Sequence, residues 1–389
     1  MTGAATGPVV LTAQETARQS LAAGMAGTAL LPIECALAGT GDWASAHARI
    51  RQATAGPVDA AAHAGLYYGV PALAFVLHAA ASGGHPGYRS AAEALDGHVH
   101  RLTRRRLTAA TGRMRNAKPA TFREYDLFYG LAGLGALLLL RAPGSDTLAD
   151  VLDYVVQLTE PRRDGLPGWW VDHNPDPIRP TPGGHANSGM AHGAAGLLAL
   201  LALALRRGCV VGGQREAIEH LCGWFDRWEQ ESVDGPWWPE WVTRQEIRAG
   251  RPAQPGPGRP SWCYGALSIA RAQQLAALAT GDHARRTAAE EALAACLTDR
   301  QLNRITDAGL CHGMAGVYQT AYRAALDAQG PAISRRLPAV AAALAQHAQA
   351  APDGEAGLLT GATGVGLALE TVRRSAPPHS GWDACLLIT

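Results

Sequence analysis

The run AHGAAGLLALLALALRR, residues 191–207, decides how this chain folds. From Gly196 to Leu205 nothing polar interrupts it, so a helix here is apolar on every side and must be buried all round. Counted from Ala191, the run stops after about 15 residues at Arg206-Arg207, short of the roughly 20 that a bilayer requires. It therefore reads as a buried core helix and not as a membrane span. Its start carries a pattern: Gly193, two variable residues, the small Gly196, then the apolar run.

The same pattern occurs seven times. It starts at Gly24, Gly69, Gly130, Gly193, Gly265, Gly313 and Gly361. Three residues on stand Gly27, Ala72, Gly133, Gly196, Ser268, Gly316 and Gly364, all small. One further stand Thr28, Leu73, Leu134, Leu197, Ile269, Val317 and Val365, apolar in six of seven. The starts are 45, 61, 63, 72, 48 and 48 residues apart. Small residues three apart share a helix face and let neighbouring helices approach closely, and the leading glycine permits a tight turn. The intervening segments, such as 282–297, are more amphipathic and suit outer helices. Seven such hairpins cannot each bury a core alone. Stacked and closed, they form an all-α toroid of seven helical hairpins, inner helices around one axis. A nucleotide-binding loop in GLAGLG (130–135) or GATGVG (361–366) lacks the preceding strand that such a fingerprint requires.

Composition agrees with one large ring. The chain has 389 residues, 47% of them hydrophobic, enough for an extensive core. A net charge of +1 sets up no field toward nucleic acid or a membrane surface. Residues Met1 to Gln14 lack a basic stretch followed by an apolar one, so they do not read as a signal peptide. The seven cysteines are odd in number and scattered, which fits reduced thiols in the cytoplasm rather than a disulfide framework. Ten Trp against four Phe is an unusual balance; Trp can support a wet groove, although a partly buried core position explains most of them.

The longer spacings mark insertions into a single toroid domain spanning 1–389: near 78–124, 161–185 and 233–260. The first holds Arg101, Arg104, Arg105, Arg106, Arg113, Arg115, Lys118 and Arg123, the second is rich in Pro, Gly and Asp, and the third carries Trp237, Trp238 and Trp241. Loops this long in a compact domain are often functional. Nothing between them reads as a domain boundary.

The residues just before each repeat glycine are Ala22-Ala23, Tyr67-Tyr68, Phe128-Tyr129, Ala191-His192, Cys263-Tyr264, Cys311-His312 and Leu359-Thr360. If rotation relates the repeats, these positions form a ring at one mouth, and Cys263, Cys311, His312 and His192 converge. Two thiols and an imidazole suit zinc, and three protein ligands leave the fourth tetrahedral position open, the mark of a catalytic site. By residue type alone a Cys-His pair is more often structural background. Zinc deprotonates a coordinating thiol outright, and thiolate ligands make it less acidic toward water, so thiol chemistry suits this donor set. His192 is a candidate acid/base near neutrality, or else a satisfied histidine at a helix start. Asp126 in EYDLFYG either orients an imidazole or serves the helix N-terminus. Arg259 either steadies a developing anion or is a surface loop arginine. Cys209, Cys222 and Cys296 fall in helical runs and read as core; Cys35 and Cys385 show no partner.

The strings NSGMAHG (187–193), SWCYG (261–265) and LCHGMAG (310–316) resemble the three zinc-region motifs of LanC-like lanthionine cyclases. The resemblance extends through YDLFYGLAGLG (125–135) and GWDACLLI (381–388), and with the repeats it covers nearly the whole chain. It implies an α/α toroid with a catalytic Zn2+ held by Cys263, Cys311 and His312. It implies His192 as acid/base, with Asp126, Arg259 and Tyr264 in support. It implies addition of a peptide cysteine thiolate to dehydroalanine or dehydrobutyrine, then protonation of the enolate to give a thioether ring. The partner implied is a dehydrated precursor peptide with its leader. With no room for a dehydratase beside the toroid, the chain resembles the stand-alone class I cyclases, which depend on a separate dehydratase. Members can carry a small side domain inserted early; here that insertion is short. The basic cluster at 101–123 either docks an acidic leader or is a solvated helix face.

Three other functions are compatible with a toroid. A prenyltransferase-like enzyme alkylating a protein cysteine shares the zinc–thiolate logic but resembles an Asp-Cys-His ligand set. A non-catalytic peptide-binding scaffold needs no open metal position. A glycoside hydrolase needs two facing carboxylates, and the mouth offers only Asp126.

Overall fold

Every one of the seven repeat glycines is a helix N-cap in the computed structural model, which describes residues 12–84, 86–176, 178–350 and 356–389. Gly24 opens Met25–Thr28 and Leu30–Leu37. The other six open Val70–Ala81, Leu131–Arg141, Ala194–Arg206, Ala266–Thr280, Met314–Asp327 and Ala362–Arg374. These are the inner helices. Consecutive ones pack side by side, and the seventh packs back on the first, which closes the ring. As the 191–207 run requires, every residue from Ala194 to Ala204 is buried.

Why glycine recurs is visible in the turns. A Cβ on Gly313 would lie 2.2 Å from Asp307 Oδ1, and one on Gly316 would lie 2.0 Å from the Leu310 carbonyl oxygen. The loop before each inner helix folds back over that helix's own first turn. The close approach is therefore first to the chain's own loop, and only second to the preceding repeat, where Trp262 Cβ would be 3.3 Å away.

Six of the inner helices are each followed by an outer one: Trp43–Ala53, Pro86–Arg115, Asp146–Thr159, Gln214–Trp228, His283–Cys296 and Leu337–Ala350. The seventh is not. After it comes a 3-10 turn, Trp382–Leu386, and the chain end, which is buried among the inner helices. Trp262 Nε1 donates to the Leu386 carbonyl at 2.9 Å, and the Tyr67 hydroxyl donates to the Cys385 carbonyl at 2.9 Å. The fully buried Arg271 donates to the Ile388 carbonyl at 3.1 and 2.8 Å, and Arg323 pairs with the buried Asp383 at 2.6 Å. The tail thus stops the core and ties the second, fifth and sixth repeats together. Buried Glu34 closes the seam by accepting from Arg374 and from the Ser380 backbone and hydroxyl.

The insertions divide into two kinds. The stretch 78–124 is not a loop: thirty of its residues form the outer helix Pro86–Arg115. Its inward stripe is Ala92, Val99, Leu102, Leu107 and Ala110. The other two insertions meet each other. β1 (His185–Asn187) pairs antiparallel with β2 (Trp241–Thr243), and the Ser188 N–H donates to the Glu240 carbonyl at 3.0 Å. This small sheet leads straight into the His192 loop. Cys222 and Cys296 lie buried in outer helices as expected, but Cys209 does not belong with them. It sits past the end of Ala194–Arg206, half-buried, its thiol donating to the Pro143 carbonyl at 3.2 Å.

Candidate active site

Main-chain hydrogen bonds draw the repeat loops into a ring. The Leu359 N–H donates to the Ala22 carbonyl (3.0 Å), Cys311 to Leu359 (2.8 Å), Cys263 to Cys311 (3.0 Å), Met190 to Cys263 (3.1 Å), Leu127 to Ala191 (3.1 Å) and Leu21 to Tyr67 (2.9 Å). Six of the seven junctions between neighbouring repeats are stitched in this way. Cys263 and Cys311 are 48 residues apart in sequence, yet their peptide groups bond directly. Their side chains follow: one sulfur from each and a ring nitrogen of His312 all lie within 4.8 Å of one another.

The three groups hold one another's protons. Cys263 is held well below the ordinary thiol range by hydrogen bonds from the Cys311 thiol and, against the opposing effect of burial, from the His312 ring. Cys311, facing that thiolate and buried beside it, is held far above. His312 is raised by the bond to Cys263. Two sulfurs and an imidazole nitrogen that share protons in this way make a two-sulfur, one-nitrogen ligand set. Asp307 Oδ2 stands 3.4 Å from His312 Nε2, beside the ring and able to hold its orientation.

His192 occupies the ring position that His312 occupies two repeats later. Its Nδ1 meets Asp126 Oδ2 at 2.6 Å. Asp126 is buried, and its other oxygen accepts the Tyr129 and Gly130 N–H groups at 2.7 and 2.9 Å. Both readings of this residue therefore hold at once: one oxygen serves the helix start, the other the imidazole. With the carboxylate accepting from Nδ1, Nε2 is the nitrogen left bare in the neutral ring. Phe122 stacks on the His192 ring at 5.0 Å and 20°, and Phe128 lies at 5.0 Å on a tilted plane. The Tyr264 ring is 6.5 Å from that of His192, and its hydroxyl receives a hydrogen bond from Asn187. Arg259 is exposed at the rim, with its charge acting on Cys311 and His312.

Residues 15–387 match the family described as Lanthionine synthetase C-like protein. The chain belongs to that family. Among solved structures it is similar to one titled "Nisin cyclase", with a TM-score of 0.82 and 19% identity over 96% of this chain and 93% of that one. The likeness shows that the two share the toroidal fold. No curated protein matches the sequence. Family membership, with the shared toroid, supports lanthionine cyclase activity. Among the described residues, no helix is long and apolar enough to cross a membrane.

Within this family fold the basic cluster has mixed duties. Arg105 donates to the Ala60 carbonyl, Arg106 to those of Ala64 and Arg123, and Arg113 pairs with Glu124 at 2.6 Å. These three pin the long outer helix to the repeat loops, whereas Arg104, Arg115 and Lys118 are exposed. Sequence reasoning passed over Phe122, which carries no motif signal. It also passed over Asn187, which sat in view at the head of NSGMAHG but whose partner comes from the next repeat.

Proposed function

We propose that this chain is a zinc-dependent cyclase forming lanthionine or methyllanthionine rings in a dehydrated precursor peptide. The observation that carries it is the Cys263–Cys311–His312 cluster, in one mouth with an imidazole oriented by a carboxylate. Two soft sulfurs and one imidazole within 4.8 Å fit zinc with a position to spare. A zinc ion held there would supply the positive charge that keeps a substrate thiol ionised at neutral pH.

The chain's own residues do the rest. His192 Nε2 takes the thiol proton and later delivers it to Cα of the adduct. As the C–S bond forms at Cβ, the Cα=Cβ electron pair moves onto the carbonyl as an enolate. Arg259 supplies a cation near that oxygen and Tyr264 a hydrogen bond. Phe122, stacked on the imidazole, and Phe128, tilted against it, hold the ring in place. The proton that left sulfur ends on carbon, so peptide mass is unchanged while a thiol disappears. A dehydrating enzyme must act first to provide the acceptor alkene, as a separate dehydratase would.

The test is incubation with a dehydrated precursor, with thiol counting and mass spectrometry, with and without a chelator. Loss of thiols at constant mass, abolished by chelation and restored by zinc, is the expected result. A mass gain would indicate alkylation, and peptide binding with no thiol loss would indicate a scaffold.

A further inference from the structure

We infer that Asn187 is a positioning residue that turns the Tyr264 hydroxyl outward, so that its proton is offered to the enolate oxygen; the inference rests on the cyclase reading above. The Asn187 side chain is wholly buried at the end of β1, and both of its polar atoms are committed. Its Oδ1 accepts the Gly189 N–H at 2.9 Å. That leaves the Nδ2 side of the amide facing Tyr264, 3.1 Å from the phenolic oxygen. An amide NH2 only donates, so the phenolic oxygen is the acceptor and its own proton must point elsewhere. Among the described residues no group accepts it. Tyr264 stands at the ring position shared with His192 and His312, half-buried and with its ring 6.5 Å from that of His192, so a substrate held at the mouth is the acceptor we assign to that proton. The incoming bond also polarises the O–H group and strengthens it as a donor.

A related repeat shows that the amide is not there for the turn. Asp307 lies six residues before Gly313, as Asn187 lies six before Gly193. Its Oδ1 accepts the Gly309 N–H at 2.9 Å, the same bond that Asn187 makes to Gly189. A carboxylate thus builds this loop as well as an amide does. What asparagine adds is the NH2 group, and that group reaches Tyr264. An aspartate at 187 would keep the turn and take the Tyr264 proton for itself, turning the hydroxyl away from substrate.

The test compares Asn187→Asp, Asn187→Ala, Tyr264→Phe and the Asn187→Asp/Tyr264→Phe double variant. Each is loaded with zinc and assayed with a peptide holding one cysteine and one dehydroalanine. Asn187→Asp and Tyr264→Phe are each expected to lose about 100-fold in kcat, the scale of one donor to a developing oxyanion, with KM and zinc content unchanged. Asn187→Ala is expected to lose less, because the hydroxyl is freed and not captured. The double variant is expected to be no slower than Tyr264→Phe alone, since both changes remove one hydrogen bond. Should Asn187→Asp fail to fold, the same cycle run with Asn187→Ala decides by its non-additivity. Wild-type kcat in a folded Asn187→Asp, or losses that multiply in the double variant, would overturn the inference. A wild-type enzyme that closes no ring would remove the cyclase reading itself, and this inference with it.

Discussion

Replacing Asp126 by Asn is the sharpest single perturbation of the site. The carboxylate has three partners: His192 Nδ1 at 2.6 Å, and the Tyr129 and Gly130 N–H groups at 2.7 and 2.9 Å. In the amide, Oδ1 keeps both main-chain donors, so the NH2 group is forced against His192. The imidazole then has to accept at Nδ1 and carry its proton on Nε2, the atom that must be bare to take the thiol proton. In a Ser-His-Asp triad the same exchange of tautomer costs about 10⁴ in rate, so a loss of at least roughly 10³ is expected here. That corresponds to about 4 kcal/mol in the barrier. Stability should fall less, by about 1.5–3 kcal/mol for one charge-assisted bond. Single-turnover ring closure measures the first quantity, urea unfolding the second, and zinc analysis checks that the ligands are untouched. A folded, zinc-loaded variant closing rings within about threefold of the wild-type rate would refute the assigned orientation, since a factor so small is under 1 kcal/mol.

Other consequences follow from the same geometry. Cys311→Ala should lose zinc and cyclisation together while the helical content by circular dichroism stays at its wild-type value. Burial, with His173 beside it, pushes the His185 imidazole down to about 4, against an ordinary 6.5. The unfolded chain therefore binds the extra proton first, and stability contributed above pH 6.5 is lost as pH falls toward 4, by about 3 kcal/mol in all. His185→Gln should flatten that acid limb in urea titrations at pH 5 and 7; an unchanged limb would assign it to other groups. Deleting residues 386–389 removes the acceptors of Trp262 and Arg271. Arg271 keeps its pair with Asp327 at 2.7 Å, so the loss of its carbonyl acceptor should cost about 1.5–3 kcal/mol, read as a lowered Tm, and zinc affinity should drop because Trp262 adjoins Cys263.

The toroid could be read from sequence because its cause is local. Each loop must lie on the first turn of its own helix, which forces glycine at the first position and a small residue three on, and that constraint repeats with the fold. The convergence of Cys263, Cys311, His312 and His192 follows from the repeat and needs no long-range information. Three features escaped for physical reasons. In Pro86–Arg115 the apolar stripe of Ala92, Val99, Leu102, Leu107 and Ala110 is interrupted by Arg104 to Arg106, so the stretch reads in sequence as an insertion whose basic cluster either docks a leader or is a solvated helix face. Those arginines are surface-seeking only in part, since Arg105 and Arg106 donate to carbonyls of the second repeat loop. The seventh outer helix was expected from symmetry, but the chain end fills the core, and its apolar LLI is indistinguishable in pattern from a short helix. Asn187 and Tyr264 come from neighbouring loops, so no periodicity couples them.

X-ray absorption at the zinc edge, with and without a cysteine-containing dehydrated peptide, probes the metal centre most directly. The free protein should show two sulfurs near 2.3 Å and one imidazole nitrogen, with a light-atom ligand completing the shell. Peptide should raise the sulfur count from two to three. A shell that gains no sulfur, or a purified protein whose Cys263 and Cys311 bind no zinc, would contradict the account.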